Sequence, residues 1–221
     1  MPRASRGAAW SSSVGAGPVS RADAIRSFWF GRIDDQGRAD PACAARWFAP
    51  DEAFDDSIRN RFESDLRVAA GSRLRAWESD PGTALALVLL LDQFPRNIYR
   101  GTPRAFAFDG HAERVADRLV EQGDDAGLWP IERAFVYMPF EHAESPASQD
   151  RAVALFEQLR ATAPADQRAT FDEFLRHAEQ HREVIARFGR FPHRNAILGR
   201  EDTPEEREWL AGSPGGWGQS G

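Results

Sequence analysis

The chain has 221 residues, a hydrophobic fraction of 42% and a formal net charge of −6 at pH 7. This length fits one domain with tails, and the hydrophobic fraction is sufficient for a packed core. The single cysteine, Cys43, excludes an internal disulfide and a thiolate metal cluster. No lysine is present, which excludes lysine Schiff-base chemistry and the lysine of a phosphate-binding loop.

The two ends of the chain differ in composition from its middle. Residues 1–18 are mostly small and polar and lack the apolar segment of a secretory signal, so we predict a disordered extension. Residues 212–221 are rich in glycine, proline and serine and are predicted to form a flexible tail. No apolar run approaches the ~18 residues of a membrane-spanning helix. We therefore expect one domain over residues 19–211, located in the cytoplasm and without membrane contact.

Start and stop signals predict the first helices. Ser20 is a capping residue and Gly31 a stop, which predicts a helix between them. A second helix is predicted from four apolar residues at helical spacing. These four are Phe54, Ile58, Phe62 and Leu66.

A third helix is predicted to be the centre of the fold. Asp80-Pro81 is a cap followed by a proline at the first helical position. From Leu85 to Leu91 the helix is apolar on every side, which indicates burial all round. Pro95 is predicted to end it.

The second half of the chain continues with helical signals. Predicted starts are Thr102-Pro103, Asp109, Pro130, Ser145-Pro146 and Thr203-Pro204, and predicted stops are Gly123 and Gly189. Pro164 is predicted to precede the longest helix. No segment alternates with a period of two. The sequence therefore predicts an all-α fold, a single-domain array of antiparallel helix pairs without a sheet.

Two segments a hundred residues apart carry nearly the same residues in the same order. Each has Phe-Pro, then Arg-Asn, then Gly, then Thr-Pro; we call residues 94–103 the first motif and residues 191–204 the second motif. The windows 94–108 and 184–200 together hold seven arginines and no acidic residue. A local cationic site in an acidic protein suits a small anion better than nucleic acid, which needs an extended basic face. The structural alternative is that these arginines pair with the surplus acidic residues.

Candidate ligand-binding residues come from the motifs and their flanks. They are Asp92, Arg96, Asn97, Arg100, Arg190, Arg194 and Asn195. Guanidinium groups suit the paired oxygens of a carboxylate or a phosphate ester, and a helix opened by Thr102-Pro103 would add free amides. The two asparagines could equally bond to loop backbone. Asp92 lies near the predicted helix C-terminus, where a carboxylate is disfavoured by ~0.3–1 kcal/mol, so it should contact a motif arginine.

Histidines and one glutamate are the candidates for proton transfer. Glu141, His142 and His193 are the predicted catalytic residues. The two histidines are candidates because an imidazole titrates near neutral pH. His177 and His181 are four apart on one helix, a spacing that two zinc ligands can have. The zinc motif places a glutamate directly after the first histidine, where this chain has Ala178, so a buried, hydrogen-bonded His181 is the preferred interpretation. The sequence identifies no cofactor.

Four stretches resemble the bacterial domain-of-unknown-function 924 family. They are Leu89–Phe106, Phe28–Gly31, Met138–Glu144 and Arg187–Arg200, and the resemblance extends over about residues 19–210. It implies an all-helical, tetratricopeptide-like fold and no particular activity. Met138 and Asp202 depart from the family pattern, in which leucine and serine are expected at these positions.

Two classes of function fit these observations. The first is a pocket for a small anionic molecule, with arginines for the anion and Glu or His for proton transfer. The second is a helical scaffold that binds a peptide or protein partner in a concave groove. A scaffold would spread its binding residues over repeated helices, whereas here they concentrate in the two motifs. We therefore favour the pocket and expect residues 92–104 and 190–200 to pack side by side near Glu141-His142.

Overall fold

The computed structural model describes residues 20–71 and 73–212. Within these ranges the chain forms helices and turns and no β-strand, which confirms the predicted all-α class. The α-helices are α1 (Arg21–Phe30), α2 (Pro41–Ala44), α3 (Glu52–Ala70), α4 (Pro81–Val88), α5 (Phe94–Ile98), α6 (Asp109–Gln122), α7 (Pro130–His142), α8 (Pro146–Thr162), α9 (Arg168–Phe188), α10 (Asn195–Leu198) and α11 (Pro204–Gly212). The predicted disordered segment 1–18 lies outside the described residues, as does the predicted tail from residue 213 onward.

Side-chain caps define several helix starts where the sequence predicts them. The side chains of Ser20, Asp80 and Ser145 accept hydrogen bonds from backbone amides in the first turns of α1, α4 and α8. Such a cap contributes about 1 kcal/mol by satisfying an amide that has no partner within the helix. The predicted stops Gly123 and Gly189 adopt the left-handed conformation at the ends of α6 and α9, with φ of 72° and 69°.

Helix α4 forms the centre of the core, as its apolar sequence predicts. Each residue from Ala84 to Leu91 is at most 1% exposed. Helices α1, α6 and α7 pack around it. Full burial of a leucine contributes roughly 1.5–3 kcal/mol, so this segment is a major source of stability.

The prediction that Pro95 ends the central helix is wrong. A π-helical turn over Leu89–Gln93 joins α4 to α5, which continues to Ile98. In this turn the Phe94 amide donates to the Leu89 carbonyl, five residues back. The wider turn accommodates proline, which lacks an amide and would clash with a carbonyl four residues earlier in a regular helix. Asp92 therefore lies within a continuous helical segment and not at a helix end.

Helices α7, α8 and α9 follow one another with short connections and pack in that order. The second motif comes after α9 and folds back onto the C-terminal end of α7. There the Phe191 amide donates to Glu144 Oε1 at 2.8 Å. Among residues 20–71 and 73–212, no helix has both the length and the apolar character that crossing a membrane requires.

Candidate functional site

The two motifs meet at Asp109, the first residue of α6. Arg96, in the first motif, donates from Nη1 and Nη2 to the two Asp109 carboxylate oxygens at 2.9 and 3.0 Å. Arg194, in the second motif, has its Nη1 at 3.5 Å from Asp109 Oδ2. The expectation that the motifs pack side by side is confirmed. The sequence analysis missed Asp109 as a site residue, although it is the first carboxylate after the acid-free window 94–108.

Asp92 has no solvent exposure and is held by three side chains. His142 Nδ1 lies 2.8 Å from its Oδ1, and Gln93 Nε2 donates to its Oδ2 at 2.6 Å. Arg96 Nη1 lies 3.3 Å from Oδ1 and also donates to the Asp92 carbonyl at 2.6 Å. The predicted contact between Asp92 and a motif arginine is confirmed.

The charge of Asp92 fixes the tautomer of His142. Burial alone would raise the pKa of Asp92, but Arg96 and His142 stabilise the charged carboxylate and lower its pKa to about 2. A charged carboxylate only accepts hydrogen bonds, so the His142 hydrogen lies on Nδ1. Within the described residues, His142 Nε2 has no hydrogen-bond partner. A carboxylate behind an imidazole that presents its other nitrogen is the arrangement of an oriented acid–base histidine.

A second carboxylate–imidazole pair lies beside the first. Glu141 is buried, and its Oε1 is 3.0 Å from His181 Nδ1, which also lies 2.9 Å from the His177 carbonyl. Both neighbours are acceptors, so His181 carries its hydrogen on Nδ1. Burial would raise the pKa of Glu141, but His181 outweighs it and the pKa is lowered. The rings of His142 and His181 have centroids 6.2 Å apart.

Arg194 is buried between two aromatic rings. Only 6% of the residue is exposed, and its guanidinium carbon lies 4.6 Å from the Phe106 ring centroid and 4.4 Å from that of Phe191. Its Nη2 donates to the His142 carbonyl at 3.0 Å. Within the described residues its Nε is buried without a partner. Burial, together with the nearby charge of Arg96, lowers the pKa of Arg194 to about 10, so it is charged at neutral pH.

We refer to these residues as the central cluster. They are Asp92, Arg96, Asp109, Glu141, His142, His181 and Arg194.

Asn97 and Arg100 do not join the central cluster, contrary to expectation. Asn97 Nδ2 donates to Asp55 Oδ1 at 2.7 Å, and Arg100 Nε donates to Asp55 Oδ2 at 2.8 Å. Both contacts tie α5 and the residues after it to α3. Their role in the described structure is to fasten the first motif to a neighbouring helix.

Arg190 and Asn195 also find their partners outside the central cluster. Arg190 makes two hydrogen bonds to Glu206, at 2.7 and 2.8 Å, and Asn195 Nδ2 donates to Asp202 Oδ1 at 2.7 Å. Glu206 also caps the start of α11 by accepting from the Thr203 amide at 2.7 Å. Arg190, directly before the second motif, is tied to α11, and Asn195 bonds to a residue within the second motif. Of the four arginines from which anion contacts were expected, Arg96 and Arg194 lie in the central cluster.

The expectation that His193 titrates near neutral pH does not hold. Burial and the charge of Arg194 lower the pKa of His193 to about 3. Its imidazole is therefore neutral over the physiological range and a weak proton acceptor. His142 and Glu141 remain as the predicted proton-transfer residues that lie in the central cluster.

The predicted helix start at Thr102-Pro103 is only a short turn. Pro103–Phe106 forms a single 3-10 turn, and Thr102 Oγ1 donates to the Tyr99 carbonyl at 2.7 Å. Its side chain therefore caps no helix, and the expected row of free amides for an anion is not formed.

His177 and His181 have separate partners. His177 is 47% exposed at its side chain and lies 3.3 Å from Glu173, whereas His181 contacts Glu141. In the part of the chain that the structure describes, no three His, Cys, Asp or Glu side chains are grouped to hold a metal ion.

A surface groove of about 570 Å³ lies elsewhere, along one side of α6. Its lining residues are Arg75, Glu78, His111, Arg114, Val115, Asp117, Arg118, Glu121 and Gln122. The lining carries both signs of charge, and an Arg118–Glu78 contact of 2.7 Å crosses it. We assign no function to it because it shares no residue with the central cluster.

The lowered pKa of Asp92 predicts an acid-dependent loss of stability. The carboxyl titrates at about 2 in the folded protein against an ordinary value of 3.8. Its stabilisation, roughly 2 kcal/mol, is therefore complete above pH 3.8 and is lost as the pH falls towards 2. Urea unfolding of the wild type and of Asp92→Asn at a series of pH values measures this difference. Parallel pH curves for the two proteins would contradict it.

The fold and the cluster define an all-α domain with a buried carboxylate–histidine–arginine site. The chain belongs to the domain-of-unknown-function 924 family, whose sequence model, described as a bacterial protein of unknown function, matches residues 25–214. It is also similar to a solved structure of a protein of unknown function from Agrobacterium tumefaciens, with 41% sequence identity and a TM-score of 0.74. That match covers 87% of this chain and 97% of the other. No curated protein is significantly similar to the chain.

Proposed function

We propose that the central cluster binds a small anionic molecule and that His142 transfers a proton to or from it. The observation that carries this proposal is the position of His142. The Nδ1 atom of His142 lies 2.8 Å from Asp92, and the Nε2 atom of His142 has no partner among the described residues. The backbone carbonyl of His142 accepts a hydrogen bond from the buried Arg194.

Arg194 is the anion contact in this proposal. Arg96 is engaged by the carboxylates of Asp92 and Asp109, so its charge is already compensated. Arg194 has one carboxylate neighbour, at 3.5 Å, and a buried Nε without a partner in the described residues. A buried donor without a partner costs about 1–3 kcal/mol, and a ligand oxygen at Nε would remove that cost. Phe106 and Phe191 pack against the guanidinium, with ring centroids 4.6 and 4.4 Å from its carbon.

His142 is the proton-transfer residue in this proposal because its neighbours fix the orientation and the tautomer of its imidazole. Gln93 and Arg96 hold the Asp92 carboxylate, and Asp92 in turn holds the imidazole with its hydrogen on Nδ1. In its neutral form Nε2 is then the acceptor. An imidazole positioned in this way typically contributes 10²–10⁴-fold to the rate of a reaction that includes a proton transfer.

An anion panel tests the proposal by thermal unfolding. We expect at least one small carboxylate or phosphate to raise the melting temperature of the wild type. At a hundred times the dissociation constant the stabilisation is about 2.7 kcal/mol. Arg194→Gln should abolish this stabilisation, whereas Arg190→Gln should retain it, because Arg190 pairs with Glu206 outside the cluster.

Two results would contradict the proposal. One is that no anion stabilises the wild type, and the other is that an anion stabilises Arg194→Gln as much as the wild type. Either result would favour the alternative of a helical scaffold for a peptide or protein partner.

A further inference from the structure

We infer that His181 is a second proton-transfer residue and that the central cluster hydrolyses a phosphate ester, with His142 as proton acceptor and His181 as proton donor. This inference rests on the proposed function, because it uses the same cluster and the same anion contact. It adds the substrate class and the residue that protonates the leaving group.

The first step is the geometry of the two imidazoles. Successive residues in the last turn of α7 bind different partners: His142 contacts Asp92 in the π-helical turn, and Glu141 contacts His181 in α9. The two rings are 6.2 Å apart with an interplanar angle of 64°. The side chains of His142 and His181 are each 14% exposed, so neither is fully buried.

The second step is the charge of the cluster. Arg96 and Arg194 supply two positive charges, whereas Asp92, Asp109 and Glu141 supply three negative charges. One negative charge therefore remains beside the two imidazoles, where uncompensated buried charge is costly.

The third step assigns the donor role to His181. Both aspartates have arginine neighbours, whereas the ion-pair partner of Glu141 within the described residues is His181. Glu141 Oε2 is buried and has no hydrogen-bond partner there. Glu141 therefore acts most strongly on His181, at 3.0 Å, whereas Arg96 shares the charge of Asp92 that faces His142.

Other titratable groups near His181 do not reverse this assignment. His177, on the same helix, is exposed and pairs with Glu173, and only its carbonyl contacts His181. His193 is close enough to interact electrostatically and is neutral at physiological pH. His142 contacts the Asp92–Arg96 pair and remains the acceptor.

A proton acceptor beside a proton donor matches hydrolysis of a phosphate ester. Water attacks phosphorus as its proton moves to His142 Nε2, so that an O–P bond forms. The P–O bond to the alcohol breaks, and the leaving oxygen takes the proton of His181. The products are an alcohol and inorganic phosphate, and water is the only co-reactant. Arg194 stabilises the phosphoryl oxygens, which are anionic before and during the reaction.

Two esters with different leaving groups test the role of His181. Para-nitrophenyl phosphate releases a stable anion and needs little protonation, whereas ethyl phosphate releases a strongly basic alkoxide. His181→Asn keeps an N–H close to the position of Nδ1 and removes Nε2. We expect it to lose about 100-fold more rate on ethyl phosphate than on para-nitrophenyl phosphate, within the usual range for a general acid. His142→Asn should reduce both rates similarly, and His177→Gln should change neither.

Binding of inorganic phosphate separates this inference from the proposed function. We expect phosphate to shift the ring NMR signals of both His142 and His181 in the wild type and of neither in Arg194→Gln. Arg194-dependent stabilisation by carboxylates, without phosphate binding or ester turnover, would overturn the inference and leave the proposed function intact. Stabilisation by neither kind of anion would overturn both. Equal losses on the two esters in a folded His181→Asn protein would overturn the donor role.

Discussion

Asp92→Ala is expected to lower the free energy of unfolding by about 3–5 kcal/mol. Asp92 is fully buried and accepts from Gln93 and His142 while pairing with Arg96. Its removal leaves buried donors without acceptors and one guanidinium with a single carboxylate neighbour. Equilibrium urea unfolding, with the slope compared between proteins, measures the loss.

The matched control is an aspartate in an exposed ion pair. Asp166 contacts Arg38 with both side chains largely in solvent, so Asp166→Ala should cost about 0–1 kcal/mol. Similar losses in the two variants would show that burial of Asp92 does not decide its contribution. A loss below 1 kcal/mol for Asp92→Ala would mean that the buried network adds no net stability.

Helix positions were predictable because their signals are local. Ser20, Asp80 and Ser145 cap the helices that follow them, and the continuous apolar run of α4 required burial on every side. The path of the chain through Pro95 was not predictable in the same way. A proline usually ends a helix, whereas here the π-helical turn continues α4 into α5, which packs against α3.

The central cluster could be predicted in part from charge. The shortage of acidic residues in both motif windows meant that their arginines needed partners from elsewhere, and the contact between Asp92 and Arg96 lies within one helical turn. Which carboxylate meets which arginine depends on tertiary structure. Asp55 in α3 reaches Arg100, and Glu206 in α11 reaches Arg190, across distances that no local pattern encodes.

The paired histidines illustrate the same limit. His177 precedes His181 by one helical turn, a spacing that two zinc ligands can have. The ion-pair partner of His181 is instead Glu141, forty residues earlier in the chain. Glu141 and His142 are neighbours in sequence, but their side chains point to α9 and to the π-helical turn respectively. The direction of two adjacent side chains at a helix end depends on the packing around that end, which the sequence alone does not specify.

Arg96→Ala is expected to destabilise the protein by about 3–5 kcal/mol at pH 7, because it leaves two carboxylates without their shared cation. Arg96 contacts both Asp92 and Asp109, and its side chain is 14% exposed. Arg118→Ala is the control, since Arg118 pairs with Glu78 and is itself 51% exposed, so its loss should cost about 0–1 kcal/mol. Urea unfolding of both variants gives the comparison.

The double variant Asp92→Ala, Arg96→Ala is expected to lose less stability than the two single variants together, with a coupling of about 0.5–3 kcal/mol. Each single change leaves a buried charge that the other change removes. In Arg96→Ala, burial acts on Asp92 without its main opposing charge, so the folded protein favours the protonated carboxyl. The deficit of Arg96→Ala relative to the wild type should therefore shrink as the pH is lowered from 7 towards 4. Additive losses at pH 7, or a deficit that grows on acidification, would show that Asp92 and Arg96 contribute independently and that the cluster does not act as one electrostatic unit.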